Sequence, residues 1–211
     1  MQEFPRETTT FTLPGAVGEL EVMTTHPGED SDTVMVICHP HPLHQGTMHN
    51  KVVTTLAKVA ERLGIPSVRF NFRGVGASQG TFADAVGEQD DCRAVLSWVK
   101  TVLPNHEIIL AGFSFGSYVA AAVAAHEEVM ALISVAPTVT NYKFSKIPKM
   151  SCPWLVVMGE DDEIVPVEAV DAFSYARSDI TDYIKLQNCS HFFHGKLIDL
   201  RAICDKFLTE C

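Results

Sequence analysis

The chain has 211 residues, 46% of them hydrophobic and 20% charged, with 13 Gly and 11 Pro. These proportions suit one folded domain over residues 1–211 and exclude a disordered, collagenous or coiled-coil protein. Sixteen Lys and Arg against 26 Asp and Glu leave a formal net charge of −10, which repels phosphate backbones and anionic lipid surfaces, so neither nucleic acid nor a membrane is expected as a partner.

The N-terminal run Met1-Gln2-Glu3-Phe4-Pro5-Arg6-Glu7 has no apolar segment of the kind a secretory signal carries. No window reaches the about 18 apolar residues of a spanning helix. Six cysteines occur without a C-x-x-C pair and read as reduced thiols of a cytoplasmic protein.

In chain order, residues 18–25 (GELEVMTT) and 33–38 (TVMVIC) are rich in β-favouring residues, and the second is apolar on both faces, as a buried strand must be. No helical pattern separates them, which predicts an antiparallel edge. Over 50–63, Val52, Val53, Leu56, Val59, Ala60 and Leu63 recur at helical spacing, and Gly64 ends the run. Then come strand 67–72, helix 87–102, strand 107–113, helix 115–126, strands 131–136 and 154–158, helix 167–177, strand 182–187 and helix 195–209. Strand and helix alternating in this way imply right-handed crossovers and a mostly parallel sheet covered on both faces. Ligands of such sheets bind beyond the carboxyl ends of the strands.

The polar residues after the strands are the ones that carry chemistry. Gly112-Phe113-Ser114-Phe115-Gly116 follows the strand IILAGF and opens the Ala-rich run YVAAAVAA. This is G-x-S-x-G in a strand-to-helix context, where a sharp turn presents the serine hydroxyl at the mouth of the sheet. The bland alternative is a tight glycine-bounded turn with a capping serine. A serine hydroxyl needs a base to take its proton, and the base needs a group to fix its tautomer. Strand 154–158 is followed by Gly159-Glu160-Asp161-Asp162-Glu163, and strand 182–187 by Asn188-Cys189-Ser190-His191.

Two competing motifs are weaker. Histidines 39, 41, 44 and 49 invite a metal reading, but H-E-x-x-H is absent and no Cys/His set has structural-zinc spacing. The glycine-containing loop 71–78 lacks both G-x-G-x-x-G and the Lys-Ser/Thr pair of a phosphate-binding loop.

With CHPHPLHQGTMHNKVV, RFNFRGVGASQG, GFSFGS, GEDDEIVP and SHFFHGK in this order, the chain resembles the α/β-hydrolases, and among them the small, lid-poor bacterial serine hydrolases close to carboxylesterases and dienelactone hydrolases. The resemblance runs from about Gly18 to the C-terminus. Serine at the nucleophile position separates the chain from dienelactone hydrolases proper, which use cysteine. The resemblance implies an α/β-hydrolase fold with a mostly parallel sheet of seven to eight strands, helices on both faces and a minimal cap.

It also implies Ser114 as nucleophile, Asp162 as acid, with Asp161 as its neighbour and alternative, and His191 as base. His194 reads as a loop or N-terminal helix residue, with contact to the substrate as the lesser alternative. The oxyanion would be held by the backbone N–H of Phe115 and by a second one from 39–43, where Pro40 and Pro42 have none to offer. His41 aligns best, with Leu43 as the alternative. His39 would stiffen this loop and Arg73 would belong to a structural hydrogen-bonded network.

The expected activity is hydrolysis of small, short-acyl carboxylic esters through an acyl-enzyme, with a small-molecule substrate, no cofactor and no metal. A peptidase or amidase with the same triad, and a non-catalytic binder on this scaffold, are the alternatives. Residues 137–153 are too few for a helical cap, so an open site is expected, with Phe113, Phe115, Phe192 and Tyr142 as apolar walls or, equally, as plain core. No feature of the sequence bears on oligomeric state.

Overall fold

The computed structural model describes residues 3–28 and 31–211. Met1 and Gln2, part of the stretch read above for a signal sequence, lie outside them. Eight strands form one sheet: β1 (Thr9–Pro14), β2 (Glu19–Thr25), β3 (Thr33–Cys38), β4 (Ser67–Phe70), β5 (Glu107–Phe113), β6 (Ala131–Val135), β7 (Trp154–Gly159) and β8 (Asp182–Leu186). Their spatial order is β1-β2-β4-β3-β5-β6-β7-β8. Every pair from β4 to β8 is parallel, and β2 runs antiparallel to both β1 and β4. The helices are α1 (Lys51–Arg62), α2 (Gly87–Val102), α3 (Phe115–Ala124), α4 (Val167–Ala176) and α5 (Leu197–Glu210). Helix α1 packs with α5 and α2 with α3, and α1 and α3 both lie against β3 and β5. Among the described residues no helix is long and apolar enough to cross a membrane.

Two expectations are corrected. Strands β2 and β3 are not an edge pair: β3 lies inside the sheet between β4 and β5, while β2 pairs with β1 and β4. The burial patterns give the reason. Every residue of β3 after Thr33 is buried, whereas β2 alternates buried and half-exposed positions. A strand apolar on both faces gains most from a central place, at roughly 1.5–3 kcal/mol for each large aliphatic side chain fully covered. The second correction is β1, which the sequence reading lacks. Its residues TTFTLP are mostly exposed or half-exposed and end in Pro14, a residue that an edge strand tolerates because one side of its ladder is unpaired.

The loop after β4 is held by a buried ion pair. Arg73 donates from Nε and Nη2 to the Asp91 carboxylate at 2.7–3.1 Å, and its backbone N–H adds a bond of 2.9 Å to Oδ2. Both side chains are almost fully covered, so removing either partner strands a charge in the interior, at about 3–5 kcal/mol. Arg73 is therefore structural, and it anchors the loop that flanks the next site.

Candidate active site

Strand β5 passes into α3 through Ser114 alone, which has φ 55° and ψ −117°. A non-glycine residue held there stores about 1–3 kcal/mol of backbone strain. Three hydrogen bonds keep it in place: its N–H donates to the Val135 carbonyl at 2.8 Å, and its own carbonyl accepts from the Ser117 N–H at 3.0 Å and Oγ at 2.5 Å. The flanking glycines are required by close approach. A Cβ on Gly112 would run into the Gly116 carbonyl, and one on Gly116 into the carbonyl oxygens of Cys38 and His39. The turn thus packs β5, α3 and the end of β3 into van der Waals contact.

Ser114 Oγ lies 3.1 Å from His191 Nε2, and His191 Nδ1 lies 2.7 Å from Asp162 Oδ2. A carboxylate only accepts, so Nδ1 carries the proton and Nε2 presents its lone pair to the serine. Asp162 Oδ1 accepts from the Ile164 and Val165 N–H groups at 2.9 and 2.7 Å, which fixes the plane of the carboxylate. The side chains of His191 and Asp162 are 3% and 0% exposed. Asp161 is exposed, and its backbone N–H is taken up by the Cys189 carbonyl. Of the two neighbouring acids, only Asp162 meets the imidazole.

The loop after β3 approaches from the other side. His39 is fully buried. Its Nδ1 donates to the Pro40 carbonyl at 2.6 Å and its Nε2 accepts the Phe72 N–H at 3.0 Å. Burial drives its pKa down to about 3, so the ring is a neutral strut between the loops after β3 and β4. Residues Pro42–His44 form a 3-10 turn. A Cβ on Gly46 would collide with the Pro40 carbonyl, so the loop closes tightly on itself. The Leu43 N–H donates to His41 Nδ1 at 3.2 Å. Among the described residues, neither the His41 N–H nor the Phe115 N–H has an acceptor.

A cavity of about 350 Å³ opens here, bounded by Pro40, His41, Gly46, Ser114, His191 and Phe192 among others. Nothing larger than the 3-10 turn Phe144–Lys146 interrupts residues 137–153. A model of the X-Pro dipeptidyl-peptidase (S15) family matches residues 18–146, a span that includes Ser114 and ends before Asp162 and His191. An α/β serine hydrolase homologue from Coxiella burnetii is 48% identical, with 97% of this chain and 99% of that one covered and a TM-score of 0.93. An α/β serine hydrolase without lid from Xanthomonas campestris is 42% identical, with 99% and 96% covered and a TM-score of 0.94. An uncharacterised protein of Rickettsia prowazekii is 33% identical over 206 residues, 92% of this chain and 87% of its own.

The chain belongs to the S15 family of α/β serine hydrolases. In this hydrolase the choice between wall and core falls differently for the four aromatics. Phe113 and Phe115 are 0% exposed, and Tyr142 packs on Phe115 and Tyr118. None of the three lines the cavity, because each gains more by covering core surface than by facing water. Phe192 does line it, together with Ile164.

Other contributors to the hydrolase site have no motif to betray them. Glu163 Oε2 accepts the His191 N–H at 3.1 Å and so steadies the backbone of the histidine loop. Phe82 lays its ring 4.8 Å from that of His41, from a segment that carries Asp84 and Ala85 at φ 51° and 66°. Among the described residues no three His, Cys, Asp or Glu converge as metal ligands would. Of the four loop histidines, His39 is turned into the core, the rings of His41 and His44 lie 4.7 Å apart, and His44 and His49 are exposed.

Proposed function

We propose that the protein, as one domain over residues 1–211, hydrolyses small carboxylic esters with short acyl groups through an acyl-enzyme on Ser114. The observation that carries this reading is the unbroken hydrogen-bonded line Asp162–His191–Ser114 opening into an uncapped cavity. In this mechanism Ser114 Oγ attacks the acyl carbon as its proton passes to His191 Nε2, and Asp162 stabilises the resulting imidazolium. The negative charge that develops on the carbonyl oxygen is received by the N–H groups of Phe115 and His41. Leu43 is the poorer candidate because its N–H is already given to the His41 ring. His191 then protonates the departing alcohol, and a water activated by the same nitrogen releases the acid.

A second reading, cleavage of an X-Pro amide, is favoured by the family match over 18–146. It uses the same three residues and differs in the leaving group. The two readings separate when p-nitrophenyl acetate and Ala-Pro p-nitroanilide are compared on the wild type and on Ser114→Ala. Ester turnover that disappears in Ser114→Ala, with kcat/KM well above that for the anilide, is the expected result. An anilide turned over as fast as the ester would replace the esterase reading with the peptidase one. Failure of a fluorophosphonate probe to label Ser114 in the folded protein would leave only a binding scaffold.

A further inference from the structure

Beside the cavity at Ser114 lies a second one of about 240 Å³, lined by His49, Asn50, Lys51, Phe192 and His194. The two share Asn50 and Phe192, so they adjoin at those two residues. Its chemistry runs against the rest of the molecule. In a chain of net charge −10, this cavity is lined by a lysine and two histidines and by no carboxylate. Lys51 is the first residue of α1, whose first turn holds no acidic side chain. Its ammonium therefore stands at the positive end of a twelve-residue helix, where a cation is disfavoured and an anion welcome. Among the described residues Lys51 takes part in no ion pair. One cation, Lys51, thus stands beside the cavity at Ser114 with no ion-pair partner among the described residues.

We infer that this second cavity binds a carboxylate carried on the alcohol part of the substrate ester. The inference rests on the ester-hydrolase reading above and narrows its substrate class. The side of the scissile bond follows from the proton path. His191 Nε2 must reach the leaving oxygen to protonate it, so the alcohol lies on the His191 flank. Phe192 and His194, which follow on the same loop, lead from that flank into the second cavity. Lys51 supplies the full charge, the His49 and His194 rings supply N–H donors, and the half-exposed faces of Phe192 and Ile164 cover the apolar spacer between ester and carboxylate. The same field raises the local concentration of anionic substrate against the repulsion of the whole protein.

The test compares two acetates with the same acyl group, 4-carboxyphenyl acetate and its neutral methyl ester 4-(methoxycarbonyl)phenyl acetate. The quantity read is the ratio of their kcat/KM values in the wild type, Lys51→Gln, Lys51→Glu and Lys51→Arg. Loss of one exposed cation at a helix start is expected to lower the carboxylate-to-neutral ratio about threefold to fivefold in Lys51→Gln. Lys51→Glu should lower it further, Lys51→Arg should restore it, and the wild-type advantage should shrink as salt rises from about 0.05 to 0.5 M. A ratio that stays within about twofold across all four proteins overturns the inference.

A second measurement needs no turnover: calorimetric titration of 4-hydroxybenzoate, the alcohol product, into Ser114→Ala with and without Lys51→Gln. Weaker binding in the double variant supports the subsite, and equal binding removes it. If the wild type cleaves neither acetate, it is the esterase reading that has failed, and the titration then decides the carboxylate subsite by itself.

Discussion

Replacing Asp162 by Asn changes one atom and reverses the direction of a hydrogen bond. Asp162 Oδ1 holds the Ile164 and Val165 N–H groups while Oδ2 holds His191 Nδ1. An asparagine that keeps its oxygen on the two backbone donors turns its NH₂ toward Nδ1, which must then accept. The imidazole proton moves to Nε2, where it points at Ser114 and cannot receive the serine proton. Recovering the productive tautomer would set Nδ1–H against the amide NH₂ at a site whose side chains are at most 3% exposed. Two buried donors without acceptors cost about 1–3 kcal/mol each, near 4 kcal/mol together, which is about a 10³-fold loss in rate. Flipping the amide instead leaves the two backbone N–H groups facing donors, at a similar cost.

Asp161→Asn alters an exposed side chain that does not touch the imidazole, and the expected change is within about twofold. The assay is kcat/KM on p-nitrophenyl acetate for both variants, with thermal melts to confirm folding. A greater loss in Asp161→Asn than in Asp162→Asn, both folded, would refute the assignment of the acid.

Three further outcomes are expected. In a p-nitrophenyl series, kcat/KM should peak at about two to four acyl carbons. Each methylene contributes its ~0.8 kcal/mol only when buried, and the rim of this cavity leaves Ile164 52% and Phe192 39% exposed; a steady rise through ten carbons would contradict the open site. Activity should persist in EDTA, because backbone donors and an imidazole base need no Lewis acid; loss that zinc restores would make the histidine-rich loop a metal site. His39, held down to about 3 against an ordinary 6.5, takes up a proton only on unfolding across that window. Its contribution to stability is full above about pH 6.5 and is lost as pH falls toward 3. Denaturant melts between pH 7 and 4 should therefore fall less steeply for His39→Asn than for the wild type, and equal slopes would show that His39 is not the group responsible.

Much of this arrangement is written locally along the chain. Glycines at 112 and 116 around Ser114, an acid after one strand and a histidine after the next are short-range patterns, because turn chemistry and hydrophobic period act over a few residues. Doubly apolar 33–38 already carries the mark of a buried strand, yet its neighbours β4 and β5 come from residues 67–70 and 107–113. Which strands pair is a contest among many apolar runs, settled by the packing of whole faces. For the same reason β1, with its exposed threonines and Pro14, becomes a strand only because β2 offers it a free edge.

Pattern sets Asp161 and Asp162 side by side and the turn it resembles favours Asp162; only tertiary structure decides that the Asp162 carboxylate is the one held by two N–H groups and in contact with His191. Glu163 on the His191 backbone, the His39 strut to Phe72 and the meeting of Lys51 with Phe192 and His194 were decided by tertiary structure alone. Each joins residues from separate elements, and a side chain's partners across such distances follow from where the sheet and helices bring it. Phe113, Phe115 and Tyr142 carry the same lesson from the opposite side: an aromatic near Ser114 has equal chemistry as wall or as core, and only the packed interior placed Phe113 and Phe115 in the core and the half-buried Tyr142 against it.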